Sequence, residues 1–319
     1  GLSSANTLTI RSQSGKRSDV VFDIKPYKTV GEDKPGHFTI DGADYLTLEA
    51  LTIKGYDKKA PAVVLVRNKS EHVAIRDCYL WAPLALDYLT GNIAVLKTSA
   101  KNEPYQNNDY LTLISSTLEG GYQGAYIDGT GHIALPKQKG AHLKDNVFIG
   151  QGSVGIYSTL EHDALYEGNT IYGHGEVANP YKALDITLMG NTIIRNNKEE
   201  VHGLQGKRRD INALHLRHTR STSDTPSGRN LIYNNELRIT ADNGADAAYG
   251  IVFSDPNLED LDILHNSVSI TNPTAKQNSA PLAIIGRGSN VAKSVNIRNN
   301  LFQNHAGGYV YYMQKEAFK

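Results

Sequence analysis

A short phrase recurs nine times along this chain, and it usually ends on asparagine. It reads apolar-x-apolar-x-x-anchor-x-apolar. The first copies are Leu46-x-Leu48 with Leu51 and Ile53, Val73-x-Ile75 with Cys78 and Leu80, and Leu111-x-Leu113 with Ser116 and Leu118. The middle copies are Ala141-x-Leu143 with Asn146 and Phe148, Ala164-x-Tyr166 with Asn169 and Ile171, and Ile186-x-Leu188 with Asn191 and Ile193. The last are Asn230-x-Ile232 with Asn235 and Leu237, Leu261-x-Ile263 with Asn266 and Val268, and Val295-x-Ile297 with Asn300 and Phe302. Successive anchors stand 22 to 44 residues apart. A fixed phrase with variable spacers marks a solenoid, whose strands stack while its loops differ.

Alternation on either side of the anchor predicts two short strands joined at a tight corner. A third strand precedes them in most repeats: Ala125-Tyr126-Ile127-Asp128, Gly155-Ile156-Tyr157-Ser158, Leu214-His215-Leu216-Arg217, Ile251-Val252-Phe253-Ser254 and Leu282-Ala283-Ile284-Ile285. Three strands per turn give an all-β fold, a single right-handed parallel β-helix over residues 1–319 with nine to eleven coils. Nine stacked anchors at a strand spacing of ~4.8 Å make a rod ~40–45 Å long. Helical repeats are excluded, because no dozen-residue window with apolar positions at i, i+3, i+4 and i+7 recurs.

Asparagine suits the corner for two reasons. It tolerates left-handed backbone better than most residues. Its amide also bonds the asparagine of the next coil, so Asn146, Asn169, Asn191, Asn235, Asn266 and Asn300 are expected to form an internal ladder. Cys78 and Ser116 occupy the same column earlier, which makes the one cysteine a small buried residue rather than a nucleophile.

Lys+Arg and Asp+Glu both number 33, so the formal net charge is zero and the overall field offers nothing to nucleic acid. A single cysteine excludes an intramolecular disulfide framework. No run has the length of a transmembrane span, and no signal peptide is visible. The chain enters almost at once into Thr7-Leu8-Thr9-Ile10 and stops soon after Tyr309-Val310-Tyr311-Tyr312. Because an open coil exposes strand edges, this predicts further sequence on one or both sides, with Gly1 a residue left by trimming.

The longest interval, from Asn191 to Asn235, is expected to hold two loops, 195–211 and 218–229, on either side of the strand at Leu214. Residues 195–229 carry eight basic side chains against four acidic ones, a local net of +4, together with His202, His215 and His218. Long loops on a rigid scaffold are where binding sites are commonly built. If Leu214 and Leu216 face the core, His215 and Arg217 point outward. Earlier coils would add Tyr126, Asp128 and Tyr157 or its neighbour Ser158 to the same strip; the register at 182–185 leaves Asp185 unplaced. Such a strip predicts a groove for a sugar chain, with aromatic faces against pyranose rings and guanidinium groups on carboxylate or sulfate. A solvated sheet face with ordinary charged loops is the competing reading.

Other motifs point to turns. Asp41-Gly42-Ala43-Asp44 and Asp128-Gly129-Thr130-Gly131 carry turn chemistry. Glu161-His162-Asp163 is a polar corner or a metal or acid–base cluster. Phosphate-loop, GxSxG, HExxH and CxxC patterns are all missing.

Four phrases carry a resemblance: Leu8-Thr9-Ile10-Arg11 with Gly15, Phe38-Thr39-Ile40-Asp41-Gly42 with Leu46-Thr47-Leu48, Asp262-Ile263-Leu264-His265-Asn266, and Val295-Asn296-Ile297-Arg298 with Phe302. They resemble phrases of large secreted right-handed β-helix proteins of Bacteroidetes, mostly of unassigned function. That resemblance covers nearly the whole chain. It implies export, extracellular or cell-surface residence with outer-membrane association, and further domains of the same chain. More distantly, Leu216-Arg217-His218 is similar to a site phrase of the pectin lyase-like polysaccharide lyases of the alginate lyase and chondroitinase B type. This implies Lys207, His215 and Arg217 as catalytic groups and calcium at Glu199 and Glu200. Lys207 lies ten residues from Arg217, where those lyases place a full coil between the two.

In such a lyase, Arg217 or calcium would neutralise a uronate carboxylate while Lys207 or His215 removes the adjacent proton. A glycoside hydrolase would need clustered carboxylates instead, and no such set is present. The leading expectation is a secreted or surface module that binds polysaccharide around residues 195–229. Tyr126, Tyr157, Arg208, Arg209, His218 and Arg220 would touch the ligand. The alternatives are a polysaccharide lyase and a non-catalytic stalk.

Overall fold

In a computed structural model the structure describes residues 2–25, 35–86, 91, 93–99, 107–129, 137–174, 180–202, 210–218, 228–240, 247–254, 258–271, 279–285 and 293–313, without the side chains of His174, His218 and Lys293. The chain winds as a right-handed parallel β-helix with three ten-stranded sheets. The first sheet runs from Leu8–Arg11 to Lys293–Arg298, the second from Val21–Ile24 to Leu301–Asn304, and the third from Phe38–Asp41 to Tyr311–Met313. Every pairing within them is parallel and joins one coil to the next, as Leu8 pairs with Leu46 and Ile211 with Ala248. The third-sheet strands fall where alternation placed them, with Gln123–Asp128, Val154–Thr159 and Ile211–His218 each slightly longer than read.

Alternation sends one apolar column inward from each sheet. On the first sheet Leu48, Ile75, Leu113, Leu143, Ile194, Ile232 and Ile263 stack through the lumen and are buried. Each such side chain contributes about 1.5–3 kcal/mol by leaving water, so the stack is the main source of stability.

The asparagine ladder is present, with one rung moved. Side-chain amides link Asn146 to Asn169, Asn169 to Asn197, Asn197 to Asn235, Asn235 to Asn266 and Asn266 to Asn300, all at 2.9–3.0 Å. Asn197 is the rung, not Asn191. The coil at this point is Thr192-x-Ile194 with Asn197 and Glu199, and two polar residues at core positions disguise the phrase. Ile186 and Leu188, the apolar pair read upstream, belong to the third-sheet strand Tyr181–Leu188. Asn191 instead donates to Asp163 on the exposed surface. The first inserted loop is correspondingly shorter, because Lys198–His202 is a strand of the second sheet.

The anchor does not supply the corner's backbone. The residue before it does: Asp77, Ser115, Asp145, Gly168, Asn196, Asn234, His265 and Asn299 all have φ of 47–65°. The anchor's task is hydrogen bonding. Its amide donates across coils, as from Asn197 to Asn235 and to the Tyr166 carbonyl, while its oxygen accepts the backbone and side-chain N–H groups of the previous rung. Cys78 donates its N–H to Ser116 in this column. Burial pushes the Cys78 thiol up to about 11, which removes it as a nucleophile.

Candidate functional site on the third sheet

The middle third-sheet strands bend where two successive residues face inward, as Gly124 and Ala125 do. Gly124 shows why the bend needs small residues: a Cβ there would meet the Gly155 carbonyl oxygen at 2.4 Å and the Phe148 ring at 2.7 Å. The bend puts residues three apart on the same outer face, so Lys182 reaches Asp185 at 2.8 Å.

Register builds one outer column through the middle coils: Leu65, Lys97, Tyr126, Tyr157, Asp185, His215, Val252 and Ala283. Buried positions flank its middle, and beyond them the column surfaces again at Thr39 and Tyr312. Leu65 is buried on one side, and on the other Val252 and Ala283 pack with Tyr249, Ala247 and Ala280 in a small satellite core. Between them Lys97, Tyr126, Tyr157, Lys182 and Arg217 are partly exposed. The strip spans the strands from Ala94–Ser99 to Ile211–His218, four strand spacings or ~19 Å.

Its aromatic part differs from the expected sugar platform. The Tyr126 and Tyr157 rings stack face to face, centroids 4.7 Å apart and planes 12° apart. Lys97 Nζ sits 4.9 Å from the centre of the Tyr126 ring, and the Arg217 guanidinium 5.3 Å from that of Tyr157. Cation–π contacts therefore close the stack at both ends. Ring faces are used within the column. Burial lowers the Lys97 pKa against the opposing field of Asp128, and burial raises that of Asp128 against Lys97.

The charged part centres on Asp185, which is 3% exposed although it lies on the outer side of the sheet. His215 Nδ1–H donates to Asp185 Oδ1 at 2.7 Å, and Lys182 donates to Oδ2 at 2.8 Å. Arg217 Nη2 lies 3.0 Å from Oδ1 without hydrogen-bond alignment, while its Nε–H donates to Thr187 at 3.3 Å. Burial works against the Asp185 charge, but the His215 hydrogen bond, Lys182 and Arg217 outweigh it and lower its pKa. Burial likewise lowers the His215 pKa, with Asp185 opposing. The resting state is an ionised Asp185 holding a neutral imidazole by Nδ1, which turns Nε2 into the basic nitrogen.

Sequence reasoning placed Tyr126, Tyr157, His215 and Arg217 on one face, and the structure groups them there. It missed Lys97, Lys182 and Asp185. A buried carboxylate paired with a histidine leaves no local pattern, because its partner is a whole coil away. Lys207, Arg208, Arg209 and Arg220 lie outside the described residues, as does the His218 side chain.

The calcium pair does not form. Glu199 and Glu200 alternate on the strand Lys198–His202, so Glu199 is fully buried in the lumen while Glu200 faces outward to Lys198. Two carboxylates on opposite faces cannot hold one ion. Among the described residues no group of three or more His, Cys, Asp or Glu side chains is placed to hold a metal. Glu161, His162 and Asp163 do not converge either. Glu161 is buried and accepts the Ala141 N–H, whereas His162 pairs with Asp163 at 2.8 Å.

Fold and strip together define the class: a right-handed parallel β-helix with a polar, partly buried outer strip on its third sheet. No protein-family model matches the chain, and no curated protein does. Among solved structures, the Streptococcus pneumoniae surface protein and adhesin PfbA is similar at 13% identity and a TM-score of 0.45, over 87% of this chain and 69% of that one. The two share too little for any residue to be carried across. Among the described residues no helix is long and apolar enough to cross a membrane.

Proposed function

We propose that this protein is a secreted or cell-surface β-helix module that binds an extracellular polysaccharide along the outer strip of its third sheet. One observation carries the reading: Lys97, Tyr126, Tyr157, Lys182 and Arg217 form a continuous, partly exposed stretch of this face, flanked by buried Leu65 on one side and buried Val252 and Ala283 on the other. Rigid, rotamer-locked polar groups in a line suit an extended polar ligand, since little ordering entropy remains to be lost on binding. The contacts are hydrogen bonds and charges at ring edges rather than sugar–ring stacking.

Titration calorimetry against a panel of soluble polysaccharides tests this. The double substitution Tyr157→Ala and Arg217→Ala is expected to weaken binding by at least about tenfold, the equivalent of one charge-assisted hydrogen bond. Arg238→Ala, on the outer face of the second sheet, should leave affinity unchanged. Equal affinity in the double variant would move the ligand elsewhere, and silence across the panel would favour a stalk.

A second reading, polysaccharide lyase, is favoured by the Asp185–His215 pair beside Arg217. A neutral His215 could take the proton next to a uronate carboxylate held by Arg217. Ultraviolet absorbance of unsaturated uronate should then rise with wild type and disappear with His215→Gln. Binding without absorbance discards the lyase and leaves the binding module.

A further inference from the structure

The charges around Asp185 do not cancel. With His215 neutral, one carboxylate faces two permanent cations, Lys182 and Arg217, which leaves a net +1. Among the described residues the adjoining strands carry no acidic side chain that offsets it. The next strand, Ala248–Phe253, presents Tyr249 and Val252, and the strand Val154–Thr159 presents Tyr157 and Thr159. Asp210 acts on Tyr249, and Asp128 on Lys97 at the far end of the strip. On its own strand His215 has Arg217, and from Tyr181–Leu188 it has Lys182, Asp185 and Thr187. Two groups at this spot also lack hydrogen-bond partners among the described residues. Arg217 Nη2 finds no hydrogen bond despite lying near Asp185, and no side chain among the described residues meets His215 Nε2.

We propose that Lys182, Arg217 and the Nε2 edge of His215 form a subsite for one anionic substituent of the glycan, a carboxylate or a sulfate, and that it tightens when His215 takes a proton. The subsite rests on reading the strip as the glycan face. Asp185 acts as its internal counter-ion, holding both cations and the imidazole in place before ligand arrives. Protonation of His215 raises the local charge from +1 to +2 and turns Nε2 from an acceptor into a donor. Since burial lowers the His215 pKa, the change belongs to acidic conditions, where uronate and sulfate groups remain ionised.

The test uses the full chain and three probes: an oligogalacturonate, a sulfated galactan oligosaccharide and a neutral β-glucan oligosaccharide. Affinities are compared at pH 5 and pH 7.5. For an anionic probe the expected gain on acidification is about tenfold, one added charge-assisted hydrogen bond. His215→Gln, which keeps a neutral donor for Asp185, should abolish that gain, so that an anionic probe binds equally at pH 5 and pH 7.5. Lys182→Ala should weaken the anionic probes at both pH values. Preference between the first two probes tells carboxylate from sulfate, and either preference supports the subsite. Neutral glucan bound as tightly as the anionic probes, without pH dependence, overturns the subsite and leaves the glycan face standing. No binding by any probe overturns the glycan face itself.

Discussion

Glu199→Leu is expected to make the protein more stable, by about 2–4 kcal/mol at neutral pH. Glu199 takes the second-sheet lumen position that Ile171 fills one coil before and Leu237 one coil after. Its side chain is fully buried, and neither carboxylate oxygen has a hydrogen-bond partner. Burial holds its pKa well above the ordinary 4.5, which favours the protonated form in the folded chain. Leucine has the right volume for the column and brings no polar group to desolvate. Other buried polar groups share the lumen with it, Tyr181 close enough to feel its charge. Ser158, Glu161, Tyr166 and Tyr181, all buried, each leave at least one side-chain oxygen without a partner.

The effect has a pH signature. A folded-state pKa raised above the unfolded value contributes stability that is whole below about pH 4.5 and is lost as pH rises through the folded pKa. Burial pushes Glu161 up to about 8, and Glu199 is raised in the same direction. Between about pH 5 and 7 Glu161 therefore removes about 1.4 kcal/mol per pH unit, and Glu199 acts in the same direction. Melting temperature should fall steadily over that range in wild type and less steeply in Glu199→Leu. A variant that melts lower than wild type at pH 8 would contradict this and show that the carboxylate makes a needed contact.

The second large effect is Asn197→Ala, expected to cost about 3–5 kcal/mol. The change removes donation to Asn235 and to the Tyr166 carbonyl. It also strands the Asn169 backbone N–H and side-chain amide, which both give to Asn197 Oδ1 at 3.0 Å. Buried donors without acceptors are more expensive than the lost bonds themselves. Two comparisons sharpen it. Asn191→Gly, at the position the sequence suggested as the rung, should change stability by no more than about 0.5 kcal/mol, since that amide bonds only an exposed Asp163. Asn300→Ala, at the partly exposed end of the ladder, should cost about 1 kcal/mol. Chemical denaturation of the three variants checks the order.

Those residues also show where sequence reading succeeds and where it stops. Eight of the nine phrases locate their coils, because apolar alternation is local and the lumen demands it. The failing phrase is the one with Thr192 and Glu199 in core positions, where a buried acid breaks the pattern and an upstream apolar pair mimics it. The outward placement of His215 and Arg217 followed from period two alone. That Asp185 joins them did not, since the strand Tyr181–Leu188 bends at Ala183 and shifts the alternation by one residue. Ring orientation was equally illegible: stacking Tyr126 on Tyr157 depends on their meeting at 4.7 Å across coils, a fact of register and not of either local sequence.

The claim that the third sheet carries the ligand is tested most directly by a crystal structure of the protein with its tightest-binding oligosaccharide. Sugar density lying along the strip, within hydrogen-bond reach of Tyr157, Lys182 and Arg217, is the predicted result. Density seated on the outer face of the first or second sheet, with the third-sheet strip occupied only by water, would contradict it.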